Sequence, residues 1–319
     1  MALDEIQTSI HGSRLGLDAY DNLIVGGRRV GPGVVTRSTP IYVDSVNGSA
    51  TGNGKSPGTA VSTLALAFDL VTAAQGDLIV VLPGHTETLT ASYALDVAGV
   101  YVLGLGKGDD MPQFLMNHAN AEISIAANGI TLDGLRFSAD VTSVAIGIEI
   151  EDGIDYTTIK NCVFDVVTAG TDEFTAAIHM VNDNTGTVIE NNVIDQGIAA
   201  AVAAIHMDAD TANTVIRGNK IYGDYSTGCI IGDTTLSTNV LIEKNLLVNG
   251  VGGNINSEPG IELLTGTTGI IRDNDIVSNL ATMAASIVAD TCLCFRNYYN
   301  EDVGGGATGG AIGTASADD

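Results

Sequence analysis

Buried-type aliphatics recur down the chain at Leu132, Ile159, Ile189, Ile216, Ile242 and Ile271, at intervals of 27, 30, 27, 26 and 29 residues. Five residues after each stands a second apolar position: Phe137, Phe164, Ile194, Ile221, Leu247 and Ile276. A period this long, with a short strand-like unit around each position, is that of a solenoid whose coils bury their apolar faces only against their neighbours. Residues 99–105 match residues 129–135 position for position, which extends the stack towards the N-terminus. Another face repeats as Gly147-Ile-Glu-Ile150, Ala177-Ile-His-Met180, Ala204-Ile-His-Met207 and Gly260-Ile-Glu-Leu263. The pattern predicts an all-β parallel solenoid of about seven or eight coils, a rod about 35–40 Å long at a strand spacing of about 4.8 Å.

Polar positions follow the same period. One place after each aliphatic stands Asp133, Lys160, Glu190, Arg217, Glu243 and Arg272, a column of alternating charge. Stacked opposite charges contribute about 0.2–1 kcal/mol per pair and like charges destabilise by similar amounts, so the alternation acts as register control. Three places after the aliphatic stand Asn192, Asn219, Asn245 and Asn274, continued by Asn297 if Cys294 is the next aliphatic position. Asparagine tolerates left-handed backbone and its amide can bond to the coil above, so this column is expected at a repeated sharp bend. Cys162 falls in the same column; Leu103 stands in place of the charge, and Leu105 and Leu135 in place of the asparagine.

Residues 1–40 lie outside the repeat and are expected to form an extended arm that cannot fold alone and rests on its own rod or on a partner. The candidates for attachment are Arg14, Leu15, Leu17, Arg28 and Arg29. The solenoid is expected over residues 41–302. It opens with Ile41-Tyr-Val-Asp44, a glycine-rich loop, and a helix over about 62–75 that covers the end of the rod. Ser62 or Thr63 would cap that helix, Leu64, Ala67, Phe68 and Val71 would form its apolar face, and Gly76 would stop it. Residues 303–319 form a glycine-rich tail, expected to be flexible or held by a neighbour.

The net charge is −25. Residues 1–40 hold four basic and four acidic residues, so the nine basic and 34 acidic residues beyond them carry the whole excess. An acidic body repels nucleic acid and anionic lipid, and neither is an expected partner. No apolar run reaches the roughly 18 residues of a membrane span. The start, Met1-Ala-Leu-Asp-Glu5, lacks a signal-peptide pattern, so the expectation is a soluble chain made in the cytoplasm. The four cysteines, 162, 229, 292 and 294, show no metal-ligand spacing and read as small buried hydrophobes kept reduced.

The order Tyr42-Val-Asp44, glycine-rich loop, capping helix, Gly76-Asp77-Leu-Ile-Val-Val, Pro83-Gly84 resembles the opening of the pectate-lyase-like proteins. That resemblance implies a single-stranded right-handed parallel β-helix. The superfamily holds lyases, hydrolases, tailspikes and purely structural virion parts, so it implies no one activity. The segment Thr8-Ser-Ile-His-Gly-Ser-Arg-Leu-Gly-Leu17 resembles the N-terminal segments of some bacteriophage virion proteins.

For catalysis, a lyase of this fold would be expected to carry clustered aspartates with a nearby base, and no free base stands out. A hydrolase needs two carboxylates about 5–9.5 Å apart. Asp165 and Asp195 occupy equivalent places on adjacent coils, but they directly follow a buried residue at a strand end, where aspartate commonly bonds backbone amides. Asp208 and Asp210, beside His206, form a similar loop cluster, and His179 and His206 stack on one outward column under Glu149, a candidate metal set. The neighbouring small apolar run at 199–204 could pack against another copy. Together these features lead to the expectation of a non-enzymatic phage structural protein without cofactors. It would be a capsid decoration protein displayed on the virion surface, bound to a capsid or tail protein through residues 1–40 and, as the resemblance implies, homotrimeric. The alternative is a tailspike-like glycan hydrolase or lyase, or a glycan-binding adhesin for the host surface; Tyr222, Tyr225, Tyr298 and Tyr299 would be its sugar platforms.

Overall fold

The computed structural model describes residues 40–208, 210–232, 236–250, 258–278 and 286–301, together with the isolated strands Leu15–Leu17, Leu23–Val25, Arg28–Gly31, Val34–Val35 and Gly310–Ile312. From residue 41 the chain is a parallel β-solenoid. One face is a ten-stranded sheet running from Ile41–Val43 to Leu293–Phe295, and the other strands join a sixteen-stranded sheet that bends around the coil. The first aliphatic column lies in strict register on the ten-stranded face, Val102 on Leu132, Ile159, Ile189, Ile216, Ile242, Ile271 and finally Cys294. The second column is equally stacked, from Phe114, Phe137 and Phe164 through Ile194 to Tyr299. All of these side chains face a continuous buried core except Cys294, which packs at its margin. Phe114, Phe137 and Phe164 form an internal aromatic stack with centroid separations of 5.7 and 5.1 Å, and Phe174 meets Phe164 edge-on.

At the N-terminal end the ten-stranded face is apolar on both sides. Ile41, Val43, Ile79 and Val81 enter the core, while Tyr42, Leu78, Val80 and Leu82 form a second buried cluster on the opposite side. Leu105 packs against that outer cluster, whereas Leu135 is in the core, so the two leucines aligned by sequence do different jobs. The backbone at the intervening glycine explains the divergence: Gly104 continues its strand and the Leu105 amide donates to the Val81 carbonyl, whereas Gly134 is left-handed and turns the chain.

The capping helix is much shorter than the apolar spacing predicts. It spans Leu64–Phe68, with Thr63 accepting a hydrogen bond from the Leu66 amide and Asp69 as its C-cap. Its continuation is taken by tertiary contacts. The Thr72 amide donates to the Asp77 carboxylate at 2.7 Å, the Ala74 amide donates to the Ala98 carbonyl, and Ala74 is left-handed. Val71 is therefore beyond the helix, and Gly76, although left-handed, is not its stop.

In the leading segment, the four short strands pair with one another as an antiparallel meander separate from both solenoid sheets. Leu15 and Leu17 lie in its first strand and Arg28 and Arg29 in its third, whereas Arg14 lies outside the described residues. Part of the tail also has a place: Gly310–Ile312 pairs antiparallel with Asn297–Glu301 at the last edge of the sheet. The four cysteines are free thiols, three buried and Cys294 half-buried. No helix among the described residues is long and apolar enough to cross a membrane.

Candidate functional site

The outward side of the ten-stranded face carries the charge column, and its members sit directly over one another. They close as three couples. Lys160 Nζ lies 3.7 Å from Asp133, Arg217 is 2.6 Å from Glu190, and Arg272 is 2.6 Å from Glu243. Lys160 and Glu190, and Arg217 and Glu243, are neighbours in register without a closed ion pair among the described residues. The first couple is buttressed: Tyr101 and Asn161 both donate to Asp133, and the Lys160 ammonium lies 5.4 Å from the centre of the Tyr101 ring.

Inside the adjoining bend runs the asparagine column. Each Oδ1 accepts the backbone N–H of the asparagine one coil earlier, so Asn219 accepts from Asn192, Asn245 from Asn219, Asn274 from Asn245 and Asn297 from Asn274. Each Nδ2 donates to the carbonyl of the preceding coil's aliphatic, Ile159, Ile189, Ile216, Ile242 and Ile271 in turn. Cys162, at the top, offers its amide to Asn192 Oδ1 in the same way. The left-handed residue is the one before each member: Gly134, Asn161, Asn191, Gly218, Lys244, Asp273 and Arg296. The ladder asparagines are thus selected for hydrogen bonding across coils, and the strained backbone expected of them belongs to their predecessors.

Asp165 and Asp195 are brought side by side on adjacent coils by the pairing of Phe164 with Ile194. The Asp165 carboxylate is held by side chains, not by the backbone amides that its position at a strand end suggests. Arg136 donates to Oδ2 from Nη2 at 2.7 Å and from Nε at 2.8 Å. Ser138 donates to Oδ1 and itself accepts from Gln113. Arg136 is opposite Val163 in register, so it reaches diagonally to meet Asp165; strict period matching does not find such a contact. Asp195 is exposed and stands opposite Tyr222.

Glu149, His179, His206, Ile231 and Glu262 form one register column. His179 Nδ1 is 3.3 Å from Glu149 and Nε2 is 3.7 Å from Asp208, and the two imidazole rings lie 5.0 Å apart, tilted by 46°. A carboxylate thus lies near each nitrogen of His179, and no group of three or more His, Cys, Asp or Glu among the described residues is arranged to hold a metal ion. Next to this column, burial and the nearby Glu149 and Glu151 push the Glu122 carboxyl above its ordinary range, against a hydrogen bond from Ser92. In the small apolar run, Ala201, Ala203 and Ala204 are fully buried and Val202 is half-buried, while the side chains of Ala199 and Ala200 lie outside the described residues. Tyr225 and Tyr299 are buried too, which removes them as sugar platforms; Tyr298 is exposed and Tyr222 half-buried.

One polar centre has no periodic signal in the sequence. His85, fully buried and tilted against the Phe114 ring, accepts the Ser45 amide at Nδ1, and its Nε2 is 3.3 Å from Glu87 Oε2, outside hydrogen-bond geometry. The same Glu87 oxygen accepts the Leu64 amide, so the pair ties the capping helix to the first coil.

No protein-family model matches the chain, and no curated protein matches it. Solved structures similar to it include pectate lyase Pel9A, 13% identical over 83% of this chain and 71% of that one with a TM-score of 0.47. Others are the pectin methylesterase from Aspergillus niger, 14% identical over 86% and 88% with a TM-score of 0.42, and ORF18 of Geobacillus virus E2, 12% identical over 96% and 70% with a TM-score of 0.41. None of these likenesses bears on what this chain does. The architecture itself, a parallel β-solenoid, is established by the strand pairing.

Proposed function

We propose that this chain is a non-enzymatic structural protein of a bacteriophage particle, an acidic solenoid that decorates the head and is attached through residues 1–40. The observation that supports it most is how the outward polar side chains are engaged. Asp165, the best-placed candidate acid, is held by Arg136 and Ser138, and the outward charges of the long flat face pair coil to coil. Such a surface is built for rigidity. The leading strands pair among themselves, apart from the solenoid, which suits a separate attachment module. The acidic body keeps many copies on one shell from coalescing.

The test is to purify particles and count copies of the chain by quantitative mass spectrometry, with the wild type and an Arg28→Glu/Arg29→Glu variant of the full chain. Decoration in hundreds of copies, lost in the variant while its circular dichroism is unchanged, is the expected result. Absence from particles, or a variant that still decorates them, rejects the proposal. Glycan turnover by the wild type that disappears in Asp165→Ala would replace it with the carbohydrate-active alternative.

A further inference from the structure

We infer that the ten-stranded face is a self-docking surface that pairs two copies of this chain antiparallel about a two-fold axis parallel to its strands. The argument starts from parity. Such an axis keeps each position along a strand and reverses the order of the coils. The ladder has an even number of alternating charges, so reversal sets every charge opposite its counter-charge: Asp133 against Arg272, Lys160 against Glu243, and Glu190 against Arg217. The coils just beyond the ladder extend the match. Leu103 stands one coil above Asp133 and Phe295 one coil below Arg272, so the reversal places leucine on phenylalanine.

The outward column two residues earlier on the same strands behaves alike. It becomes steadily more apolar towards the C-terminus, from Thr131 and Thr158 through Val188 and Val215 to Ile270 and Leu293, the last 55% exposed. Under the same reversal Val188 meets Val215, Leu241 meets Thr158, Ile270 meets Thr131, and Leu293 meets Tyr101. An isologous interface requires such self-complementarity, and this face has it over eight consecutive coils, about 34 Å at roughly 4.8 Å each. Aligning two copies in the same direction would set like charge on like, so the ladder selects the antiparallel arrangement.

Net charge points to the same face. Two chains of charge −25 repel, and the six ladder charges cancel among themselves, so here the repulsion is locally removed. Within one chain, Lys160 lies 3.7 Å from Asp133 and Glu243, only 6% exposed, is held by Arg272, and three coils separate Lys160 from Glu243. Their contact can therefore occur only between copies. The strands are three or four residues wide, so the association is weak and its driving force is the apolar column. The inference holds independently of any role on a particle.

The experiment is sedimentation equilibrium of the full chain at low salt, up to about 1 mM protein. The wild type forms a dimer. Lys160→Glu and Glu243→Lys each weaken it by about tenfold, since each puts like charges together at two symmetry-related places. An equimolar mixture of the two variants recovers the dimer to near the wild-type level, because Glu at 160 of one copy then faces Lys at 243 of the other. Thermal melts establish that each variant is folded. Leu293→Asp, in the last coil, weakens the dimer without touching the ladder and serves if either charge variant does not fold. A wild type that stays monomeric or forms a trimer, a mixture no better associated than its components, or a Leu293→Asp chain that associates like the wild type overturns the inference.

Discussion

Replacing Asn219 by alanine isolates the device that locks one coil to the next. Its side chain is 1% exposed and makes four hydrogen bonds: Oδ1 accepts from the amide and from Nδ2 of Asn192, and Nδ2 donates to the Ile189 carbonyl and to Asn245 Oδ1. Truncation leaves the buried Asn192 N–H without an acceptor, which costs about 1–3 kcal/mol, and removes further bonds worth about 1 kcal/mol each. The sum is about 4–6 kcal/mol. At about 2 °C per kcal/mol for a chain of this size, the melting temperature should fall by about 8–12 °C. The control is Asn191→Gly, one residue earlier, where the side chain is exposed and the backbone is left-handed at φ 56°; glycine removes that strain and the melt should rise slightly or stay unchanged. Thermal denaturation followed by circular dichroism, with amide exchange at residues 188–192 as a local reporter, reads both. An Asn219→Ala chain that melts within about 2 °C of the wild type would refute the account of the ladder as a coil-to-coil lock.

Three further outcomes follow from the same structure. Burial opposes the charged form of Asp44, but hydrogen bonds from the Asn47 side chain and from the Val46 and Asn47 amides outweigh it and hold the carboxyl below its ordinary 3.8. Its stabilisation is therefore complete above the unfolded-state pKa and fades as pH falls through the lower folded value, so Asp44→Asn should destabilise at pH 7 and converge with the wild type in strong acid; a constant gap from pH 7 down to about 2 contradicts this. Burial pushes the Cys162 thiol up to about 12 and Cys292 to about 11, and Cys229 is raised as well, so a maleimide at pH 7.5 should label the native chain slowly and the unfolded chain at all four thiols, with rapid native labelling of Cys162 as the refuting result. Phe164→Ala, which removes the last ring of the aromatic stack and its edge-on contact with Phe174, should destabilise by about 3–5 kcal/mol in denaturant titration, and a loss below about 1 kcal/mol would mean that the neighbours close over the gap.

Much of the candidate surface could be read in the sequence because a solenoid converts sequence spacing into vertical contact. Once Leu132, Ile159 and Ile189 are recognised as one column, every residue at a fixed offset from them is a neighbour, and the charge and asparagine columns follow. Contacts that break the offset were not readable. Arg136 reaches Asp165 diagonally, and the charges close in couples because each arginine reaches the preceding glutamate. The left-handed column carries Gly, Asn, Lys, Asp and Arg, with no shared residue type to mark it. His85 lies before the regular repeats and has no counterpart to be aligned with.

The apolar period and the order of the ladders were thus set by the sequence alone, since a solenoid coil has no other partner than the next copy of the same pattern. Tertiary structure decided where the pattern stops. The capping helix ends at Phe68 because Asp77 takes the Thr72 amide, Leu105 leaves its column because its strand runs on to pair with Val81 where Gly134 turns the chain, and the glycine-rich tail contributes a strand because Asn297–Glu301 offers an open edge. Each of these depends on a group outside the local pattern taking up one hydrogen bond or one strand edge, and such competition is resolved only when the chain has folded.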